Sequence, residues 1–242
     1  MKRIIASVLF LIYLSFISGF ELEEYGITLF NSTDELYENI ELMVPQEEKS
    51  YGYYIDDNII EEYNPLEISL LPEKIINKNI NYISDYFMPA IYKLKGHIPT
   101  NYYLSYGLYD ITMPPDIHGW HQDPTYINNP DHDIRFILFS DDSINTRLTH
   151  FSTGSRDIIP SKETIPIHSF LLDYPTEYRS MYMGADTNMI KFPKIKDNKN
   201  IIIGFDNYKV LHRSPKFLED IIENRRIYVF QFNWFDKDQI DY

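Results

Sequence analysis

The residues best suited to chemistry lie in the stretch Ile117-His118-Gly119-Trp120-His121-Gln122-Asp123-Pro124. At its centre His121 and Asp123 stand two residues apart, and on a β-strand residues i and i+2 project from the same side. One imidazole and one carboxylate then aim at a common point. A second imidazole from far downstream would complete two histidines and one carboxylate on one face of a metal. That arrangement leaves coordination positions open and suits a ferrous ion used in oxygen chemistry. His212 is the candidate, because it ends the strand-like run Val210-Leu211-His212. In such a centre His121 and His212 bind through neutral nitrogens and Asp123 supplies negative charge. An organic acid that reduces oxygen there needs a cation for its far carboxylate, and a guanidinium fork matches that need. Arg225 and Arg226 follow His212 by 13 and 14 residues and open the last strand-like run. Alternation sends the two side chains to opposite faces, so one of them points inward.

Strands must position these residues, and the sequence supplies them after Pro99. Asn101–Met113 is aromatic and β-prone, Arg135–Phe139 is a strand, and Asp141–Asn145 is a turn. Arg147–Phe151, Thr164–Leu172 and Met181–Met183 are shorter candidates. Asn200–Phe205 is a buried strand entering a turn at Asp206-Asn207, and Arg226–Trp234 is the clearest strand of all. Many short strands without long intervening helices indicate a mainly β fold, an antiparallel sandwich or barrel such as a jelly roll, with supporting α-helices. Those helices belong to residues 21–100. The spacing predicts one from Thr33 to Leu42 and a longer one from Leu71 to Leu94, kinked or split at Pro89. The polar, Tyr-rich segment up to about Pro65 reads as a loop. Asn31-Ser32-Thr33 is both a glycosylation acceptor pattern and a helix N-cap.

Composition narrows the function. The formal net charge is −14, which repels phosphate backbones and argues against a nucleic-acid partner. With no cysteine, thiolate nucleophiles, iron–sulfur clusters and Cys-based zinc sites are excluded. No Gly-rich phosphate cradle occurs. A basic start at Lys2-Arg3, an apolar run from Ile4 to Ile17 and small residues at Ser18-Gly19 read as a signal peptide, with an uncleaved anchor as the rival. The expected location is therefore the secretory route, lumenal or secreted, with no membrane contact beyond that anchor.

Trp120-His121-Gln122-Asp123, the late His212-Arg213-Ser214 and Arg225-Arg226 opening a terminal strand resemble the Fe(II)/2-oxoglutarate-dependent dioxygenases. Within them the motifs are most similar to the phytanoyl-CoA hydroxylase-like branch, over His118 to Trp234. The resemblance implies a double-stranded β-helix core, His121, Asp123 and His212 as iron ligands, and 2-oxoglutarate as co-substrate. It implies an arginine on the co-substrate's distal carboxylate. The branch pattern, an arginine followed by a basic residue and an alternating strand, fits Arg225 better than Arg226. Asp141–Asn145 and Ser152–Arg156 are only partial echoes of the branch's Asn-Gly and Gly-Ser-His signatures, which leaves the substrate open among peptide side chains, lipids and small metabolites.

The expected organisation is a signal segment at 1–19, a helical extension at 20–99 and the dioxygenase domain at 100–242. Tyr103, Tyr106 and Tyr109 precede the first ligand strand and read as aromatic core, with co-substrate binding as the alternative. His118 reads as a rim residue, His132 as a turn residue, and His150 and His168 as structural or exposed. Arg213 reads as a surface residue or a substrate contact. Two other functions compete: a secreted β-sandwich binding module in which His-x-Asp is incidental, and a zinc hydrolase. The zinc hydrolase lacks a helical general-base glutamate beside its histidine.

Overall fold

The computed structural model describes residues 22–43, 50–56, 59–62, 73–111, 120–123, 132–143, 146–155, 158–159, 181–182, 184–195, 197–215 and 225–234. In chain order the elements are β1 (Ile27–Asn31), α1 (Asp34–Met43), β2 (Ser50–Asp56), β3 (Ile59–Glu62), α2 (Glu73–Lys95), β4 (Asn101–Ile111), β5 (Asp133–Phe139), β6 (His150–Ser152), β7 (Ile158–Ile159), β8 (Met181–Tyr182), β9 (Ile201–Asp206), β10 (Leu211–Arg213) and β11 (Arg225–Asn233).

Seven strands pair antiparallel in the order β1-β9-β5-β11-β4-β2-β3. A second layer is built on β10 and β6, which pair through Leu211–Ser152, His212–Phe151 and Arg213–His150. It is widened on one side by a bridge between His121 and His212 and on the other by a bridge between Ser152 and Met189. The two layers face each other, since Phe205 of β9 packs on Phe151 of β6 at 4.9 Å and on the His212 ring at 4.9 Å. This is a jelly roll, whose β4-β11-β5-β9 face opposes the layer carrying His121 and His212. The short pair β7–β8 stands apart as its own two-stranded sheet.

Strand alternation gives the large sheet two different faces. On β11 and at its end, Tyr228, Phe230, Phe232 and Trp234 meet the helices, while Ile227 and Val229 face the second layer. The helices cover the first of these faces. Thr33 caps α1 by accepting from the Leu36 N–H at 3.2 Å, so the cap reading of Asn31-Ser32-Thr33 describes the local structure. Helix α2 buries Ile76, Ile80, Ile83, Phe87, Ile91 and Leu94 at the 3–4 residue spacing of one face. It continues through Pro89 as one helix and stops at Gly96, whose φ of 79° suits a left-handed C-terminal cap and whose N–H donates to the Tyr92 carbonyl. Phe87 is the centre of this layer, stacked on Phe136 at 4.3 Å and 5.1 Å from Phe230. We expect Phe87→Ala to cost about 3–5 kcal/mol in denaturant unfolding, because the cavity lies where sheet and helix are both rigid. A loss below about 1 kcal/mol would mean that this layer is not the core.

The segment expected to hold two helices and a loop also contributes strands. β1 extends the sheet at β9, and β2 with β3 extends it at β4. In the Tyr-rich run that reads as a loop, Tyr53 and Ile55 of β2 are buried, and Tyr53 stacks on Tyr106 at 5.9 Å. The candidate strand Thr164–Leu172 and the N-terminal segment lie outside the described residues. Among the described residues no helix is long and apolar enough to cross a membrane.

Candidate metal centre

His121, Asp123 and His212 meet between the two layers, with one potential ligand atom of each lying within 4.8 Å of the others. Two backbone hydrogen bonds make this possible. The His121 N–H donates to the His212 carbonyl at 3.0 Å, and the His212 N–H donates back at 2.9 Å. Directly paired residues on antiparallel strands carry their side chains on the same face, so the rings sit 4.4 Å apart. The two-residue step from His121 then brings Asp123 alongside. Its Oδ1 lies 3.5 Å from His121 Nε2 and its Oδ2 lies 3.1 Å from His212 Nε2.

The charges are tuned for cation binding. Burial pushes the Asp123 carboxyl up, but Arg135, His212 and hydrogen bonds from both histidines outweigh it and hold it well below the usual carboxylate range. Burial drives the His212 imidazole down to about 4, against the pull of Asp123. The result is one ionised oxygen donor beside a buried neutral nitrogen donor, the protonation states that metal binding requires. Two imidazoles and one carboxylate are a borderline-hard donor set that fits ferrous iron. Nδ1 of His212 is buried without a hydrogen-bond partner among the described residues.

Both shifts predict sensitivity to acid. His212 titrates near 4 in the fold against 6.5 when unperturbed, so as pH falls the unfolded chain takes up its proton first. Stability contributed by the neutral ring is complete above about pH 6.5 and is lost between there and about pH 4; Asp123 adds a further loss below its ordinary titration range. The melting temperature of the metal-free protein should therefore drop from about pH 7 to about pH 5, and His212→Asn should flatten that slope. An unchanged slope in the variant would contradict the neutral assignment.

Residues to which the sequence assigns no task support the triad. Arg135 donates from Nη1 to Asp123 Oδ2 at 2.7 Å and reaches both oxygens of Asp133 at 3.3 Å. Burial pushes the Asp133 carboxyl up, against the pull of Arg135. The Asn207 side chain holds the Asp123 backbone in both directions. Its Nδ2 donates to the Asp123 carbonyl at 2.9 Å, and its Oδ1 accepts from the Asp123 N–H at 3.1 Å. Asp206-Asn207 reads as an ordinary turn in the sequence. The signal that could have revealed the network is Asp133-Ile134-Arg135, two charges at period 2 in an otherwise apolar, fully buried strand.

Arg225 and Arg226 separate as alternation requires. Arg226, itself largely buried, pairs with the exposed Asp142. Arg225 is 1% exposed and lies on the face shared with Ile227 and Val229. Its Nη2 donates to Thr149 Oγ1 at 2.5 Å and its Nε to the Arg147 carbonyl at 3.3 Å, and its Cζ sits 5.5 Å from the Phe139 ring centroid. Burial, then Arg147, lower its pKa to about 10. No carboxylate of the described residues pairs with it. Thr149 lies two residues from Phe151, the register partner of His212, so the guanidinium is anchored about 7 Å along the same ladder from a triad residue.

The other candidates fall elsewhere. Arg213 points out of the layer, pairing with Asp186 at 3.0 Å and covering the Trp120 ring at 4.3 Å, and so clamps the segment before His121 onto β10. His132 stacks on Trp234 at 5.1 Å, and His150 pairs in register with Arg213; neither joins the triad. Tyr106 belongs to the helix-side core, as expected of aromatic core. Tyr103 and Tyr109 share the opposite face of β4, and Tyr109 is 44% exposed. His118 and His168 lie outside the described residues.

No family model matches the sequence, and no curated protein matches it. Solved structures of similar shape include IDO from Bacillus thuringiensis, 12% identical over 90% of this chain and 94% of that one, with a TM-score of 0.47. The Fe(II)/(alpha)ketoglutarate-dependent dioxygenase TqaL is 12% identical over 92% of this chain and 87% of that one, with a TM-score of 0.45. A Pseudomonas putida prolyl-4-hydroxylase is 10% identical over 91% of this chain and 98% of that one, with a TM-score of 0.40. The site itself rests on its own geometry: two histidines and one carboxylate meet between the layers of a jelly roll.

Proposed function

We propose that the protein is an Fe(II)- and 2-oxoglutarate-dependent dioxygenase that hydroxylates a C–H bond of a peptide side chain, a lipid or a small metabolite. The observation that carries this reading is the meeting of His121, Asp123 and His212 in a fold that also buries an arginine, Arg225, with no carboxylate partner among the described residues. Iron with 2-oxoglutarate supplies the oxygen-activating chemistry when bound. The chain supplies placement. His121 and His212 offer ring nitrogens, and Asp123 offers an oxygen kept ionised by Arg135. Arg225 is the natural seat for the distal carboxylate of the co-substrate, because a desolvated guanidinium gains most from a carboxylate it can grip with two N–H groups. Phe139, Phe151 and Phe205 line the space between the layers and keep water from it. Within the superfamily, the phytanoyl-CoA hydroxylase-like branch is the one its motifs resemble, and its N-terminal segment supports work in the secretory route. The test is succinate formation from 2-oxoglutarate by the purified protein under air. We expect turnover that depends on added Fe(II) and is abolished by a chelator. Succinate formation that is absent, or indifferent to iron, would overturn the reading.

A further inference from the structure

Asp123 is held at both ends by one closed circuit of hydrogen bonds. Arg135 Nη1 grips its carboxylate at Oδ2, and Arg135 Nε and Nη2 grip Asp133. Asp133 Oδ2 accepts from Asn207 Nδ2 at 2.7 Å, and Asn207 returns to the Asp123 backbone through its amide. Asn207 is itself fixed. Its N–H donates to the Asp133 carbonyl at 3.0 Å, and its carbonyl accepts from Gln122 Nε2. The circuit is set in rigid structure. Arg135 is the register partner of both Phe205 on β9 and Gln231 on β11, at 6% exposure. One guanidinium charge serves two carboxylates, Asp123 and Asp133, so the group keeps a negative surplus that a divalent cation can take up.

We infer that Arg135 is a positioning residue that biases Asp123 towards binding a metal through one oxygen: its Nη1 takes one acceptor site of Oδ2, the oxygen that also lies 3.1 Å from His212 Nε2, and so fixes the carboxylate's rotation and leaves Oδ1 as the oxygen with no guanidinium on it. A free carboxylate can chelate a metal through both oxygens and take one more coordination position. Disfavouring that mode preserves an open position for co-substrate and oxygen, which a facial triad needs. Asp133 and Asn207 serve by holding the guanidinium and the Asp123 backbone in one frame. Groups of this kind around metal ligands change metal affinity by about 10- to 100-fold when removed.

This inference rests on the metal-centre reading, and the experiment separates the two. Wild-type protein, Arg135→Met, Arg135→Lys and Asn207→Ala are titrated with Co(II), reading affinity and the visible absorption spectrum, with circular dichroism as a check on folding. The wild type should bind one Co(II). Arg135→Met should bind at least about tenfold more weakly and with an altered visible band, because the carboxylate is free to rotate. Arg135→Lys should keep the fold yet show the same change in smaller measure, since one ammonium cannot span Asp123 and Asp133; it decides the matter if Arg135→Met does not fold. Asn207→Ala should weaken binding in the same sense. Binding within twofold of wild type and a superimposable spectrum in the folded Arg135 variants would overturn the inference alone. Failure of the wild type to bind Co(II) would remove the metal-centre reading, and this inference with it.

Discussion

Replacing Asp123 or His212 with alanine is expected to reduce iron-dependent succinate formation by more than about 100-fold, a larger loss than removing a residue that only supports a ligand. Each variant deletes one of the three donors whose atoms lie within 4.8 Å of one another. Asp123→Ala has a second effect. It strips Arg135 of one carboxylate but leaves it paired with Asp133, so the buried guanidinium stays compensated. The fold should therefore survive, and the loss should appear in metal affinity. His212→Ala removes a ring packed between Phe205 and Phe151 at 4.9 and 6.2 Å, so its stability cost is that of an aromatic truncated in the core. His212→Asn or His212→Gln separates the two effects, since either keeps more of the volume. Succinate formation unchanged in both Asp123→Ala and His212→Ala would show that it does not arise at this triad and would remove the metal-centre reading.

The second large effect belongs to Arg225. Arg225→Ala should raise the KM for 2-oxoglutarate about 30- to 100-fold, equivalent to about 2–3 kcal/mol for removing a charge-assisted bidentate grip from a desolvated site. Fe(II) affinity should be little changed, because Arg225 is anchored at Thr149 and the Arg147 carbonyl rather than at the triad. Arg225→Lys should recover only part of the affinity, as an ammonium cannot reproduce the fork. Arg226→Ala is the control. Its partner Asp142 is at the surface, where such pairs contribute about 0–1 kcal/mol. If Arg226→Ala raised the KM and Arg225→Ala did not, the inward-facing register of β11 would be wrong for function.

Legibility from the sequence follows length scale. The His-x-Asp step, the strand at Arg225–Asn233 and the two helices rest on periodicities of two and about four residues, and these are local. The opposition of Arg225 and Arg226 follows from alternation alone. Residues that act across long separations without a motif of their own are not legible, whereas His212 is, because it ends a strand-like run. Asn207 reaches Asp123 across 84 positions and reads as a plain turn residue, because nothing in Asp206-Asn207 marks its partner. Arg135 reads as the first residue of an apolar strand, when its inward direction depends on which face of β5 meets the second layer. Thr149, which anchors Arg225 from 76 positions away, carries no local signal. The strands β1, β2 and β3 are hidden for a different reason. They lie on the outer flanks of the sheet, beyond β9 and β4, and their runs are short and mixed with polar residues.

The most direct test is to add 2-oxoglutarate to the Fe(II)-loaded protein in the absence of oxygen and follow the visible spectrum. A keto acid chelating ferrous iron in two of its open positions produces a charge-transfer band in the visible range, so no substrate need be known. The band should appear at one equivalent of iron, be absent in Asp123→Ala and His212→Ala, and require much higher 2-oxoglutarate in Arg225→Ala. A wild-type spectrum that stays featureless with both iron and 2-oxoglutarate present would contradict the assignment of His121, Asp123 and His212 to a ferrous centre.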